Sequence, residues 1–290
     1  MRENIIAFWI ITGVLALVGI MWYALENPAI NPRLDKVTYT IIHKWDMPNE
    51  LNEISGISLI SDTKIACVQD EEGIIFIYNL TTEEVEKKVN FSRSGDYEGL
   101  AVVDSTAYVM ESSGKLFEIA NFYNPNFEIT EYQTPFSGKN NIESLVADSI
   151  NNRLLFTVKD KDPYSDVYKG IYAFNLETKK TESTPIAKIP INDPIFNTKD
   201  KKDDKKKSSN FYPSDIALNP KDGNFYILEG KNGQLLIMDK NGKPIKIHTL
   251  YKESFPQAEG ITFAADGTMY ISNEGKNGTA NILEVELNEK

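Results

Sequence analysis

"QAEGITFAADGTMYISNEG", Gln257–Gly275, decides the fold, because a looser copy stands earlier as "DYEGLAVVDSTAYVMESSG", Asp96–Gly114. Both run from an acid and a small residue into an apolar strand, a short turn, a second apolar strand, an acid and a glycine. Three further copies keep that order: "EISGISLISDTKIACVQDEEG" at Glu53–Gly73, "NIESLVADSINNRLLFTVKDK" at Asn141–Lys161 and "PSDIALNPKDGNFYILEGKNG" at Pro213–Gly233. Their starts align at Ser55, Glu98, Glu143, Ser214 and Glu259, about 45 residues apart with one gap of about 70. That period belongs to four-stranded propeller blades, so the pattern predicts an all-β, five-bladed β-propeller.

The fourth repeat shows how a blade divides. "SDIALN" reads as its first strand, "NFYILEG" as its second, "QLLIMDK" as its third and "PIKIHTLY" as its fourth. "KDGN" and "KNGQ" supply Asp-Gly and Asn-Gly hairpin turns. The last repeat holds only three strands before the chain ends at Lys290. The missing strand is expected at the other end. Val37–Trp45 reads as a fourth strand with nothing before it, and "YTIIHKWDMPNELNEISGI" parallels "IKIHTLYKESFPQAEGI". Pairing it with the final strand would close the ring and remove two sheet edges. Both histidines, His43 and His248, fall on such outer strands and are expected at the rim.

The chain divides into an N-terminal anchor (1–25), a proline-containing linker (26–36) and the propeller (37–290). An insertion at 191–212 accounts for the long gap. Its "KDKKDDKKK" reads as a solvated, mixed-charge loop, with a partner-binding tongue as the sharper alternative. The anchor reading rests on Ile5–Leu25, which carries no charge. As a helix this run would reach about 31 Å, the thickness of a hydrocarbon core. Trp22 and Tyr23 sit where an interfacial belt belongs. No small-residue cleavage site follows, so a retained single-pass anchor is favoured over a cleaved signal peptide. The expectation is an inner-membrane protein whose propeller is extracytoplasmic, in the periplasm.

Composition excludes some classes. With 31 basic and 42 acidic side chains the net charge is −11. Such a chain repels a phosphate backbone, and nucleic-acid binding is not expected. The single cysteine, Cys67, lies in an apolar strand and reads as a core residue. There is no G-x-S-x-G, H-E-x-x-H or C-x-x-C.

In a propeller the first strand of each blade lines the axis, and strands alternate in direction. The start of the first strand and the end of the second therefore lie on one face. The first set of such residues is Ser55, Glu98, Glu143, Ser214 and Glu259; the second is Asp70, Glu111, Asp160, Glu229 and Glu274. Three glutamates at about 6 Å and an effective dielectric of about 20 repel by roughly 3 kcal/mol per pair. Protonation, Lys159 or a bound cation could offset this. All candidate ligands are oxygens, which suits Ca²⁺ or Mg²⁺ rather than zinc. The competing reading is a hydrated, salt-bridged funnel around Lys159.

The repeated "EGI/EGL" starts, "VQDEEG", "FTVKDK" and "QAEGITF…MYISNEG" resemble the SdiA-regulated, YjiK-like family over roughly Thr38–Leu287, with a more distant similarity to NHL-repeat propellers. The resemblance implies a five-bladed propeller, a calcium site, an extracytoplasmic location and no established enzymatic activity. That family favours a small residue after the serine of the fourth repeat, where this chain has Asp215. The functional expectation is a membrane-tethered binding module with calcium at Glu98, Glu143 and Glu259, and an unidentified protein or small-molecule ligand at the acidic mouth. The alternative is a calcium-dependent hydrolase of the gluconolactonase-like propeller type.

Overall fold

The computed structural model describes residues 2–26, 37–196, 211–276 and 278–288. The linker and most of the insertion thus lie outside the described residues. By contact the chain forms two units, Met1–Thr40 with Leu287–Lys290, and Ile41–Glu286.

In the first unit, α1 (Arg2–Glu26) is a 25-residue helix. Its described side chains include exposed Trp9, Ile11, Leu15, Leu17, Ile20, Trp22 and Tyr23. Among the described residues no helix is long and apolar enough to cross a membrane. The membrane span expected from Ile5–Leu25 is therefore not found among the described residues.

The second unit is the five-bladed propeller. β1 (Tyr39–Asp46) comes first in the chain. Blade one holds β2 (Ile54–Ser61), β3 (Lys64–Gln69), β4 (Ile74–Asn79) and β5 (Glu84–Asn90). Blade two holds β6 (Tyr97–Val103), β7 (Thr106–Glu111), β8 (Lys115–Ala120) and β9 (Glu128–Gln133). Blade three holds β10 (Val146–Asp148), β11 (Arg153–Thr157) and β12 (Tyr168–Asn175), with an outer strand split into β13 (Lys180–Thr181) and β14 (Ala187–Pro190). Blade four is β15 (Asp215–Leu218), β16 (Phe225–Glu229), β17 (Gln234–Met238) and β18 (Pro244–Thr249). Blade five is β19 (Ala258–Phe263), β20 (Met269–Asn273) and β21 (Asn281–Leu287), with β1 beside β21. The backbone bonds Asn288 N–H to Thr38 O (2.9 Å) and Met47 N–H to Ala280 O (2.8 Å) flank that strand pair.

The inner strands neighbour one another in the ring β2, β6, β10, β15, β19 and back to β2. This ring explains the glycine that follows the repeated acid or serine in blades one, two and five. A Cβ on Gly56 would stand 2.6 Å from the Glu98 carbonyl, and one on Gly260 would stand 2.5 Å from the Ser55 carbonyl. Only a residue without a side chain allows inner strands to approach so closely. Apolar side chains fill the wedges between blades. Ala66, Val68, Val109 and Phe117 pack between blades one and two, and Leu155, Ile171, Ile216 and Ile227 between blades three and four. Cys67 is fully buried in β3. Of the histidines, His43 is exposed as expected, but His248 is only 2% exposed. It is drawn inward because its position alternates toward the blade, opposite Leu235.

A carboxyl-ringed mouth around Lys159

Four of the five repeat starts lie on an inner strand or directly before one, and the fifth, Glu143, lies three residues before β10. Glu143 is 5% exposed, and its Oε2 forms an ion pair with Lys159 Nζ. Its Oε1 accepts from Asn141 Nδ2 at 2.9 Å. Glu98 and Glu259 act on the same place. Burial pushes the Glu98 carboxyl well above the usual range, and Glu143, Asp96 and Glu259 push it further. Burial raises Glu143 to about 7 although Lys159 pulls it back. Burial also raises Glu259, against the pull of Lys159, Lys252 and Lys276. For Lys159 burial works against the charge, but Glu143, Glu259 and Glu98 outweigh it and hold the ammonium above its ordinary value. The first set of glutamates is thus electrostatically one group centred on a lysine.

The serines of that set are structural. Ser214 Oγ donates to the Ala258 carbonyl at 3.1 Å and accepts from Gly230 N–H at 3.2 Å, tying blade four to blade five. Ser55 is 5% exposed, and its carbonyl accepts from Ser272 Oγ at 2.9 Å.

The second set disperses. Burial and Glu53 raise Asp70 to about 6, and burial with a shared hydrogen bond to Glu53 raises Glu274 to about 8. Glu53, Asp70 and Glu274 therefore form a second carboxyl group between blades one and five. Glu111 accepts from Ser113 Oγ at 2.7 Å. Asp160 is exposed, while Glu229 is fully buried, accepts from Asn232 Nδ2 and is raised by burial to about 7. Sequence reasoning missed Glu53 and Asp96, the first residues of their copies of the repeated phrase, and Lys252 and Lys276, which lie outside it.

Asp215 occupies the position that is Gly56, Gly99, Ser144 and Gly260 in the other blades. It is 2% exposed. Its Oδ1 accepts from Ile216 N–H (2.8 Å) and Leu145 N–H (3.3 Å), and its Oδ2 from Ile261 N–H (2.8 Å). One side chain thus joins blades three, four and five beneath the mouth.

The donors suit a hard cation in type, since all are oxygens. In arrangement Lys159 holds Glu143, and among the described residues no three His, Cys, Asp or Glu are gathered closely enough to hold a metal ion. The carboxyl oxygens of the mouth are thus spaced around an ammonium group.

The fold is that of a five-bladed β-propeller with an acid-lined centre. The sequence matches the SdiA-regulated family over residues 38–277, and the chain belongs to that family. Among solved structures, Myxococcus xanthus glutaminyl cyclase is similar with 13% identity and a TM-score of 0.56, over 86% of this chain and 96% of that one. A chain of a nidogen/laminin complex is similar with 13% identity and a TM-score of 0.51, over 76% of this chain and 72% of that one. At such identity the likeness concerns the fold alone. No curated protein matches the sequence.

Proposed function

We propose that this propeller is a membrane-tethered, extracytoplasmic binding module that takes a divalent cation, calcium first, in the mouth formed by Glu98, Glu143 and Glu259. The observation that carries this reading is the charge imbalance at one buried point. Glu98, Glu143 and Glu259 bear electrostatically on one another and on Lys159, the close counter-ion of Glu143, and burial raises the pKa of all three. A cation would replace protons on these groups and compete with Lys159 for Glu143. The tether is supported by the uncharged run Ile5–Leu25 and by the exposed apolar side chains of α1. An acidic mouth reached from solvent would then meet a protein or small-molecule partner.

Thermal unfolding with and without calcium tests the reading. A ligand that binds only the folded chain stabilises it by about 2.7 kcal/mol at a hundredfold excess over its dissociation constant. Calcium should raise the melting temperature of the wild type, and Glu143→Gln should remove most of that rise. Equal melting temperatures with calcium and with EDTA would leave the Lys159-centred funnel as the better account.

A further inference from the structure

Beside the mouth, between β12 and the end of the insertion, lies a cavity of about 360 Å³ lined by Asp160, Asp162, Asp166, Tyr168, Lys169 and Tyr212, among others. Lys169 sits in β12 with Ile189 of β14 as its strand partner and is only 6% exposed. Its amine donates to the Lys159 carbonyl and stands 4.8 Å from the centre of the Tyr212 ring. On the same ring lies Lys231 Nζ, 3.9 Å from the centre. We propose that Lys169 is a reactive amine that forms an imine with a small, uncharged aldehyde or ketone admitted to this cavity.

Three observations converge on this lysine. First, a buried lysine in a strand of otherwise apolar inward positions normally has an ion-pair partner, and no ion pair to Lys169 is present among the described residues. Second, the amine borders a cavity large enough for a molecule of a few heavy atoms, with aromatic walls at Tyr168 and Tyr212. Third, burial lowers its pKa to about 8 even though Asp160, Glu229, Asp162 and Glu143 pull the other way. At pH 7 such an amine is neutral about two orders of magnitude more often than an exposed lysine.

In the reaction the ammonium first loses a proton. The neutral nitrogen then adds to the carbonyl carbon, and the carbonyl oxygen leaves as water with the two hydrogens of the amine. The resulting imine can be protonated, which keeps a cation facing Tyr212, Asp160 and Glu229. Glu229, fully buried and near enough to act on the charge of Lys169, is suited to exchange these protons. The carboxylates of Asp160, Asp162 and Asp166 in the cavity wall disfavour an oxoacid and favour an uncharged carbonyl compound.

The test uses the full chain at pH 7 with glyceraldehyde and cyanoborohydride, which reduces the imine to a stable secondary amine. Peptide mass spectrometry then reports the labelling rate of each lysine. Lys169 should be labelled at least tenfold faster than exposed Lys44 or Lys115, and Glu229→Gln should slow Lys169 without changing those two. Glyoxylate, an anionic aldehyde, should label Lys169 more slowly than glyceraldehyde does. Labelling of Lys169 no faster than that of Lys44 and Lys115 would overturn the proposal and leave the amine as a structural donor to Lys159. Faster labelling by glyoxylate would overturn the assigned substrate class.

Discussion

Asp215 in blade four accepts the backbone N–H of Ile261 in blade five at 2.8 Å, while its other oxygen reaches Leu145 N–H in blade three at 3.3 Å. A carboxyl group here does what a glycine cannot, since it accepts from N–H groups of three blades at once. Asp215→Ala would leave these buried donors unpaired. An unsatisfied buried donor costs about 1–3 kcal/mol. Urea unfolding should therefore show a loss of about 3–5 kcal/mol for Asp215→Ala and a smaller loss for Asp215→Asn, which keeps one acceptor oxygen. Equal midpoints for Asp215→Ala and wild type would remove the stitching role.

β1 should matter to stability out of proportion to its length. Tyr39 and Trp45 are both 7% exposed, and Trp45 Nε1 donates to the Leu80 carbonyl at 2.8 Å. We propose that this strand closes the ring by completing blade five. A chain beginning at Ile54 should then be less stable than one beginning at Pro32 by several kcal/mol, from the apolar surface left open on β21. Coincident denaturant midpoints for the two chains would contradict this.

The repeated phrase made the blades legible because a propeller imposes the same demands five times: a close approach at the inner strand, an alternating wall and a hairpin turn. The first-set glutamates were legible for the same reason, since matching repeat positions converge by symmetry. What breaks the symmetry was not legible. Lys252 acts on Glu259 from a connecting segment that no repeat aligns. Asp215 was visible as a departure from the small residues around it, but its three N–H partners are backbone atoms and leave no mark in the sequence. Lys169 offered only a weak signal, a lysine in "YKGIYAFN" where the strand's alternation calls for an inward residue. His248 was misread because its strand is outer while its side chain faces inward.

Stability should fall as pH rises through neutrality. Asp70, Glu143, Glu229 and Glu274 have folded pKa values of about 6, 7, 7 and 8, all above those of free carboxyls. The folded state thus holds more protons than the unfolded state between about pH 4 and 8. The stability this contributes is fully present below the unfolded values and is lost as pH passes through the folded ones. Denaturant midpoints should be higher at pH 5 than at pH 8, with a shallower slope in Glu143→Gln. A midpoint that rises from pH 5 to pH 8 would mean that the mouth is ionised and compensated without protons.

The proposed tether predicts fractionation. The full chain should stay with membranes after carbonate extraction, and a chain beginning at Pro32 should not. Protease added to intact spheroplasts should cleave the lysine-rich insertion. Cleavage only after lysis would place the propeller on the cytoplasmic side.

Cation binding at the mouth is tested most directly by proton release. Burial raises Glu143, Glu98 and Glu259 above the usual carboxyl range, so an incoming calcium ion should displace protons. Calcium titrated into weakly buffered protein at pH 7 should acidify the solution in a saturable way. Glu143→Gln should reduce the number of protons released. Calcium that neither releases protons nor evolves heat, up to millimolar concentration, would contradict the account and leave Lys159 as the resident cation of the mouth.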